Sequence, residues 1–284
     1  VLSALRHARG DGRLPHAEVG RCRGKCGFIS QQSAFRIGRA VYGILGAHER
    51  RGSDAWHADL DVLLAFLEVV LRWLPPLLVY MRRDERPPVH LYTDAAYQRG
   101  AVGRPLDGEG VLGFMLFDPT PPPGAPSVVV GSARVPQWMW QVLAPDRKTH
   151  ILQAELLAII VVYWTLGWRL RGRPVVHWCD NTGAIAAAIG GGGARFPGAS
   201  VLTCMLHLVL LHLRCAVHFV WVPSEANPAD WPTRPDKVHM VPAWAVWAPI
   251  AFPPAALFRS LMDPAAVSTW AAVLREWSVQ PPAR

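Results

Sequence analysis

Four carboxylates stand where an apolar chain has little reason to place charge. Asp94 closes the extended run Val89-His90-Leu91-Tyr92-Thr93-Asp94, and Glu155 opens the helical run Gln153-Ala154-Glu155-Leu156-Leu157-Ala158-Ile159. Asp180 ends a second extended run, Val175-Val176-His177-Trp178-Cys179-Asp180. Asp230 follows a third, Val217 to Val222, after the residues Pro223 to Ala229. An unpaired carboxylate is costly to bury, so four of them can share one place only around positive charge. Mg²⁺ prefers carboxylate oxygen and is the natural counter-ion. Mn²⁺ accepts the same hard ligands, and no Cys or His is called for. Two such ions about 3.5–4 Å apart suit phosphodiester hydrolysis, one activating water and the other steadying the leaving oxygen. Taken singly, two of the acids have a plainer reading: Asp180 as cap of a helix starting at Thr182, and Asp230 as cap of a terminal helix.

Hydropathy periodicity supplies the elements that must position these acids. Strands are expected over Val89–Ala95, Val111–Phe117, Ser127–Val135, Val175–Cys179 and Ala216–Val222. Helices are expected over Thr149–Leu170, Thr182–Ile189 and Val201–Leu213, and the proline-rich stretch Asp118 to Pro126 reads as a hairpin connection. The order is three strands, a helix, a strand, helices, a strand and a final helix. Ahead of it, Gln31–Leu45 and Asp59–Val79 carry helical patterns. The charged, proline-ended segment Arg82 to Pro88 reads as a linker, because proline pairs disfavour helix and sheet interiors. Gly190-Gly191-Gly192-Gly193 lacks the Lys-Ser/Thr ending of a nucleotide cradle and reads as a flexible link.

The strings Tyr92-Thr93-Asp94-Ala95, Gln153-Ala154-Glu155-Leu156, Cys179-Asp180-Asn181 and Asn227-Pro228-Ala229-Asp230 resemble the ribonuclease H segments of retroelement reverse transcriptases. Trp221-Val222-Pro223-Ser224-Glu225-Ala226-Asn227-Pro228-Ala229-Asp230 is similar above all to gypsy-like and tyrosine-recombinase (DIRS-like) forms. The resemblance covers about residues 88 to 236. It implies an α/β, ribonuclease H-like fold, a five-stranded mixed sheet flanked by helices, preceded by a small helical region. It implies cleavage of the RNA strand of RNA–DNA hybrids with two Mg²⁺ ions, Asp94 bridging both. Glu155 and Asp180 would complete the ion near the leaving 3′ oxygen, and Asp230 the ion that activates water. Beside the acids, Thr93, Asn181 and Asn227 are candidates to touch a 2′-hydroxyl, the group that marks an RNA strand, or a phosphate. Arg234 has the choice of a phosphate or of Asp236. Cellular members carry a His in the loop before the last Asp, where this chain has Ser224-Glu225-Ala226. They also carry a basic handle, where only Arg195 is basic here.

The implied organisation is a thumb- or connection-like helical region over 1–86, a ribonuclease H-like domain over 87–240 and a Trp/Pro/Ala-rich extension over 241–284. An amphipathic helix is expected at 264–277. The Asp-Asp signature of a polymerase palm is absent, so this chain is not expected to polymerise on its own; the expected partners are the hybrid and the polymerase part of the same polyprotein. Two other readings stay open: a DNA-processing integrase- or resolvase-like nuclease of the same fold, and a non-catalytic nucleic-acid-binding domain.

Composition bounds these readings loosely. Hydrophobic residues make up 51 % of the 284, enough for a packed core, and the net charge of +8 is mostly arginine. Arginine excess fits phosphate recognition and fits a GC-rich coding sequence equally, so charge permits a nucleic-acid partner without requiring one. Five cysteines make no even framework and no secretory segment precedes them, so an intracellular place, cytoplasm or nucleus, is expected. Cys22 and Cys26, with His7 or His16, lack the second pair that a zinc clip needs. Cys179, Cys204 and Cys215 read as small core residues, and Trp178 and Trp221, alternating inward on their strands, read as core. The apolar stretches Leu60–Met81 and Ile151–Trp168 are broken or flanked by charge and prolines, and read as buried helices with no membrane partner.

Overall fold

Alternation along β4 (Pro174–Cys179) shows how this chain builds a sheet. Val175, His177 and Cys179 are buried, while Val176 and Trp178 on the opposite face are only partly covered. The same two-residue period runs through β1 (Val89–Gln98), where Leu91, Thr93 and Ala95 are buried on one side. β1 pairs antiparallel with β2 (Glu109–Phe117), which pairs antiparallel with β3 (Val128–Arg134). After α5 (Gln137–Val142), the crossover helix α6 (Ile151–Leu170) carries the chain back across the sheet and lays β4 parallel to β1. α7 (Thr182–Gly190) and α8 (Pro197–Leu213) lead to β5 (Ala216–Trp221), parallel to β4. The computed structural model describes residues 1–32, 39–73, 86–98, 109–142, 151–190 and 197–263. Pro75-Pro76, the first half of the expected linker, Gly191 to Gly193, Arg195 and the helix expected at 264–277 lie outside the described residues.

The strand order is β5-β4-β1-β2-β3-β6, two antiparallel pairings followed by two parallel crossovers around a central β1. This is a mixed α/β sheet, as expected from the sequence. It has one strand more than the five expected. β6 (Val246–Trp247), from the Trp/Pro/Ala-rich segment, pairs parallel with β3, and the Ala248 N–H donates to Val130 O at 2.8 Å. Two residues of pairing carry no periodicity, which is why the sequence pattern did not show it.

By length and composition α6 could cross a membrane, yet most of its residues are buried, Glu155 and Arg169 among them. Its inner face packs on β1 and β2. Behind the sheet, Tyr163 OH meets His177 Nδ1 at 3.1 Å and His177 Nε2 meets Thr93 Oγ1 at 2.9 Å. Burial pushes His177 down to about 3, so the ring is neutral. At the end of β2 away from the acids, Asp118 accepts from Arg169 at 3.0 Å and Arg173 at 3.1 Å, all three buried. Burial alone would raise the Asp118 carboxyl; the two guanidiniums outweigh it and hold it below its usual range.

Contacts divide the chain into two compact units. One comprises residues 1–80, 186–212 and 254–277, and the other 81–185, 213–253 and 278–284. In the first unit, α1 (Leu2–Gly10), α3 (Arg39–Arg50) and α10 (Ala255–Met262) each pack on α4 (Ala58–Trp73), and α2 (His16–Gln32) packs on α3. Much of its basic charge is spent internally: Arg6 pairs with Glu68, Arg9 with Asp61, Arg13 with Asp54, Arg23 with Glu49 and Arg51 with Asp59. Cys22 and Cys26 are buried in this unit, and no third ligand gathers with them among the described residues.

One glycine sets where the last acid can lie. Gly113 of β2 stands opposite Asp94, and α9 (Asp230–Thr233) packs against β2. A Cβ at Gly113 would come within 2.4 Å of Thr233 Cγ2 and 2.9 Å of Ala229 O. Gly113→Ala therefore has to push α9 off the sheet, and overpacking of this kind costs about 1–3 kcal/mol. Urea unfolding measures it; an unchanged midpoint would show that α9 is not seated there.

Candidate active site

Parallel register brings the first pair of acids together. Tyr92 stands beside Trp178, so two residues further along Asp94 and Asp180 reach the same carboxyl-terminal end of the sheet, where open α/β folds place their ligands. Glu155, in the first turns of α6, reaches the same end and accepts the Ala95 backbone N–H. The ligand atoms of Glu155, Cys179 and Asp180 lie within 4.8 Å of one another. Asp230 arrives from the opposite face with α9. Thr233 Oγ1 bridges the two sides, 2.7 Å from Asp94 Oδ2 and 3.0 Å from Asp230 O.

Electrostatics records this crowding. Burial pushes the Asp94 carboxyl up to about 6; the Thr233 hydroxyl opposes the rise, while Asp180 and Asp230 add to it. Glu155 is raised well above its ordinary value by burial and then by Asp94 and Asp180. Asp180 is braced by the end of β5 and the turn after it: the Ser224 hydroxyl donates to its Oδ2 at 2.6 Å, and the Trp221 indole N–H donates to its backbone carbonyl at 3.1 Å. Its other carboxylate oxygen, Oδ1, is buried and takes no hydrogen bond among the described residues. Asp230 is held by Lys237, which donates to Oδ2, and by Arg234, whose Nε lies against Oδ1.

Asp180 is not the cap of the helix that follows it. Asn181 Oδ1 accepts the Ala184 N–H at 3.0 Å and caps α7. Two other candidates are turned inward. Thr93 is fully buried, its hydroxyl on His177, and Asn227 is buried with Nδ2 on the Thr93 carbonyl at 2.9 Å and Oδ1 on the Ala229 N–H at 3.2 Å. Neither side chain faces solvent, and both are committed to partners within the protein. They brace β1 and the approach to α9. Arg234 pairs with Asp230, not with Asp236. Trp221, expected in the core, is 53 % exposed. Cys179 is buried, but with its Sγ 3.9 Å from Glu155 Oε2. Thr233, Ser224 and Lys237 were not singled out by sequence. Thr233 stands three residues after Asp230, a helical spacing that could have been read; the other two offered no signal.

The donor set fits a hard divalent cation: carboxylate oxygens crowded enough to raise one another, with the buried Asp180 Oδ1 unclaimed. Without metal, the folded protein bears this repulsion at pH 7. Because the folded value of Asp94, about 6, lies above that of an unfolded carboxylate, the penalty fades as pH falls through 6 toward 4. Asp94→Asn is therefore expected to stabilise the metal-free protein by about 1–3 kcal/mol at pH 7 and by less at pH 5. Urea unfolding in chelator measures both; an equal loss of stability at the two pH values would contradict the crowding.

No family profile matches the chain, and no curated protein matches it in sequence. Among solved structures, LC9-RNase H1, described as a type 1 RNase H with the type 2 active-site motif, is similar at 12 % identity and a TM-score of 0.37, over 66 % of this chain and 87 % of that one.

Proposed function

We propose that this chain is a metal-dependent endonuclease that hydrolyses the RNA strand of RNA–DNA hybrids, the ribonuclease H part of a gypsy-like or DIRS-like retroelement reverse transcriptase. The observation that carries the reading is the gathering of Asp94, Glu155, Asp180 and Asp230, from four separate segments, at one end of a ribonuclease H-like sheet. The retroelement assignment rests on the Trp221 to Asp230 string. On this reading residues 1–86 correspond to the thumb or connection region, 87–240 to the nuclease and 241–284 to an extension, with the polymerase part of the polyprotein as partner inside the cell.

Asp94, Glu155, Asp180 and Asp230 would hold Mg²⁺ or Mn²⁺, which polarises the phosphate and lowers the pKa of water at neutral pH. Thr233 and Ser224 orient Asp94 and Asp180 through hydroxyl donors, so that their remaining lone pairs face the cluster. Asn181 is partly exposed at the mouth of the site, its side-chain oxygen already committed to the α7 cap, which leaves its amide N–H₂ as a donor for a sugar hydroxyl or phosphate. Arg234 is half-exposed beside Asp230 and offers phosphate a guanidinium edge.

The test is gel cleavage of one labelled hybrid beside matched DNA and RNA duplexes, with and without Mg²⁺. Cleavage of the RNA strand of the hybrid alone is expected; cleavage of duplex DNA instead would favour the integrase- or resolvase-like reading, and binding without cleavage the non-catalytic one. Asp180→Asn should retain hybrid affinity, which phosphate contacts set, and lose cleavage; equal loss of both would make Asp180 structural. Glu225 is exposed in the turn Ser224–Ala226, where cellular members have their His. Glu225→Ala is expected to alter turnover little and Glu225→His to raise it; a large fall in rate at unchanged binding for Glu225→Ala would show that Glu225 does the work of that His.

A further inference from the structure

The four acids differ in what neutralises them. Asp94 and Glu155 face other carboxylates, and Asp180 Oδ1 takes no hydrogen bond among the described residues. Among the described residues, Asp230 is the one of the four that is ion-paired: Lys237 Nζ donates to Oδ2, and Arg234 Nε stands against Oδ1, which takes no hydrogen bond. Its carboxylate is almost fully buried, whereas the Lys237 side chain is about one-third exposed and reaches inward from the segment after α9. The backbone places it there independently of its charge, since the Lys237 N–H donates to Arg234 O at 3.0 Å and the Met240 N–H to Lys237 O at 2.8 Å. An ammonium is a compact point charge; set against one oxygen of a buried aspartate, it supplies positive charge at that carboxylate.

Formal charge points the same way. Two divalent ions would balance four ionised carboxylates; one divalent ion together with Lys237 and Arg234 balances them equally. We propose that Lys237 is the permanent counter-ion of Asp230 and takes the place of one of the two divalent ions, so that this chain holds a single strongly bound Mg²⁺ on Asp94, Glu155 and Asp180. The proposal rests on the nuclease reading of the site. On it, Lys237 is a positioning residue. It holds Asp230 in place, and it lowers the affinity of a second ion by like-charge repulsion at contact distance.

Mn²⁺ binding to the full chain, counted from the electron paramagnetic resonance of the free ion, tests this without reference to activity. Wild type and Lys237→Arg should each bind one Mn²⁺. Lys237→Met, which keeps the aliphatic stem and removes the charge, should bind a second ion about tenfold more tightly than wild type does. In hybrid cleavage, the Hill coefficient for Mg²⁺ should rise from near one in wild type toward two in Lys237→Met. Two equivalent Mn²⁺ ions on wild type, or a Lys237→Met titration that matches it, would overturn the counter-ion while leaving the nuclease reading standing. Mn²⁺ binding that survives Asp94→Asn unchanged would place the ions elsewhere, and both readings would fall together.

Discussion

The seating of α9 on β2 is the contact on which the site depends. Three of the four acids come from β1, α6 and the end of β4, elements that the sheet and its crossover place together by register alone. Asp230 does not. It reaches Asp94 only because Gly113 leaves room for Ala229 and Thr233, because Asn227 ties its own turn to the Thr93 carbonyl, and because Thr233 joins Asp94 to the α9 backbone. A four-residue helix is too short to be stable by itself, so tertiary contact alone gives Asp230 a position.

Order at this end of the sheet is maintained against repulsion. Raised Asp94 and Glu155 report an arrangement that the metal-free protein holds at a cost, the usual sign of a site shaped for something it binds. What sustains it lies behind the sheet. The neutral chain Tyr163–His177–Thr93 satisfies its buried polar groups, and the Asp118–Arg169–Arg173 cluster ties the end of β2 to the end of α6 and the start of β4. Such a buried cluster is weak evidence for added stability, but removing one partner leaves an uncompensated charge, so it fixes which end of each element meets which.

Charge away from the site is less informative than composition implied. A net +8 suggested a surface open to phosphate, yet many of the N-terminal arginines are ion-paired within their own helical unit. Near the acids, the exposed Trp221, Ser224 and Arg234 and the partly exposed Lys237 make the mouth of the site a mixed aromatic and cationic surface. Trp221 is out of the core, with its indole N–H donated to the Asp180 carbonyl.

Much of the sheet was legible in the amino-acid sequence. Strands β1 to β5 and helix α6 follow from alternation and from long apolar periodicity, local properties that a one-dimensional pattern carries. The acids were legible too, as charges that an apolar run does not otherwise tolerate. The sixth strand, the roles of Thr93 and Asn227, the hydroxyls of Ser224 and Thr233 and the clasp of Lys237 on Asp230 were not. Each is a pairing between residues whose partners lie on other segments, or on the same segment beyond a helix that ends too soon for spacing to predict them. Sequence by itself determined which elements form and which residues could bear the chemistry, because propensity and burial act locally. The tertiary structure alone decided which of those residues face one another, which are spent as braces, and which cation stands beside the last acid, because those depend on how separate elements pack.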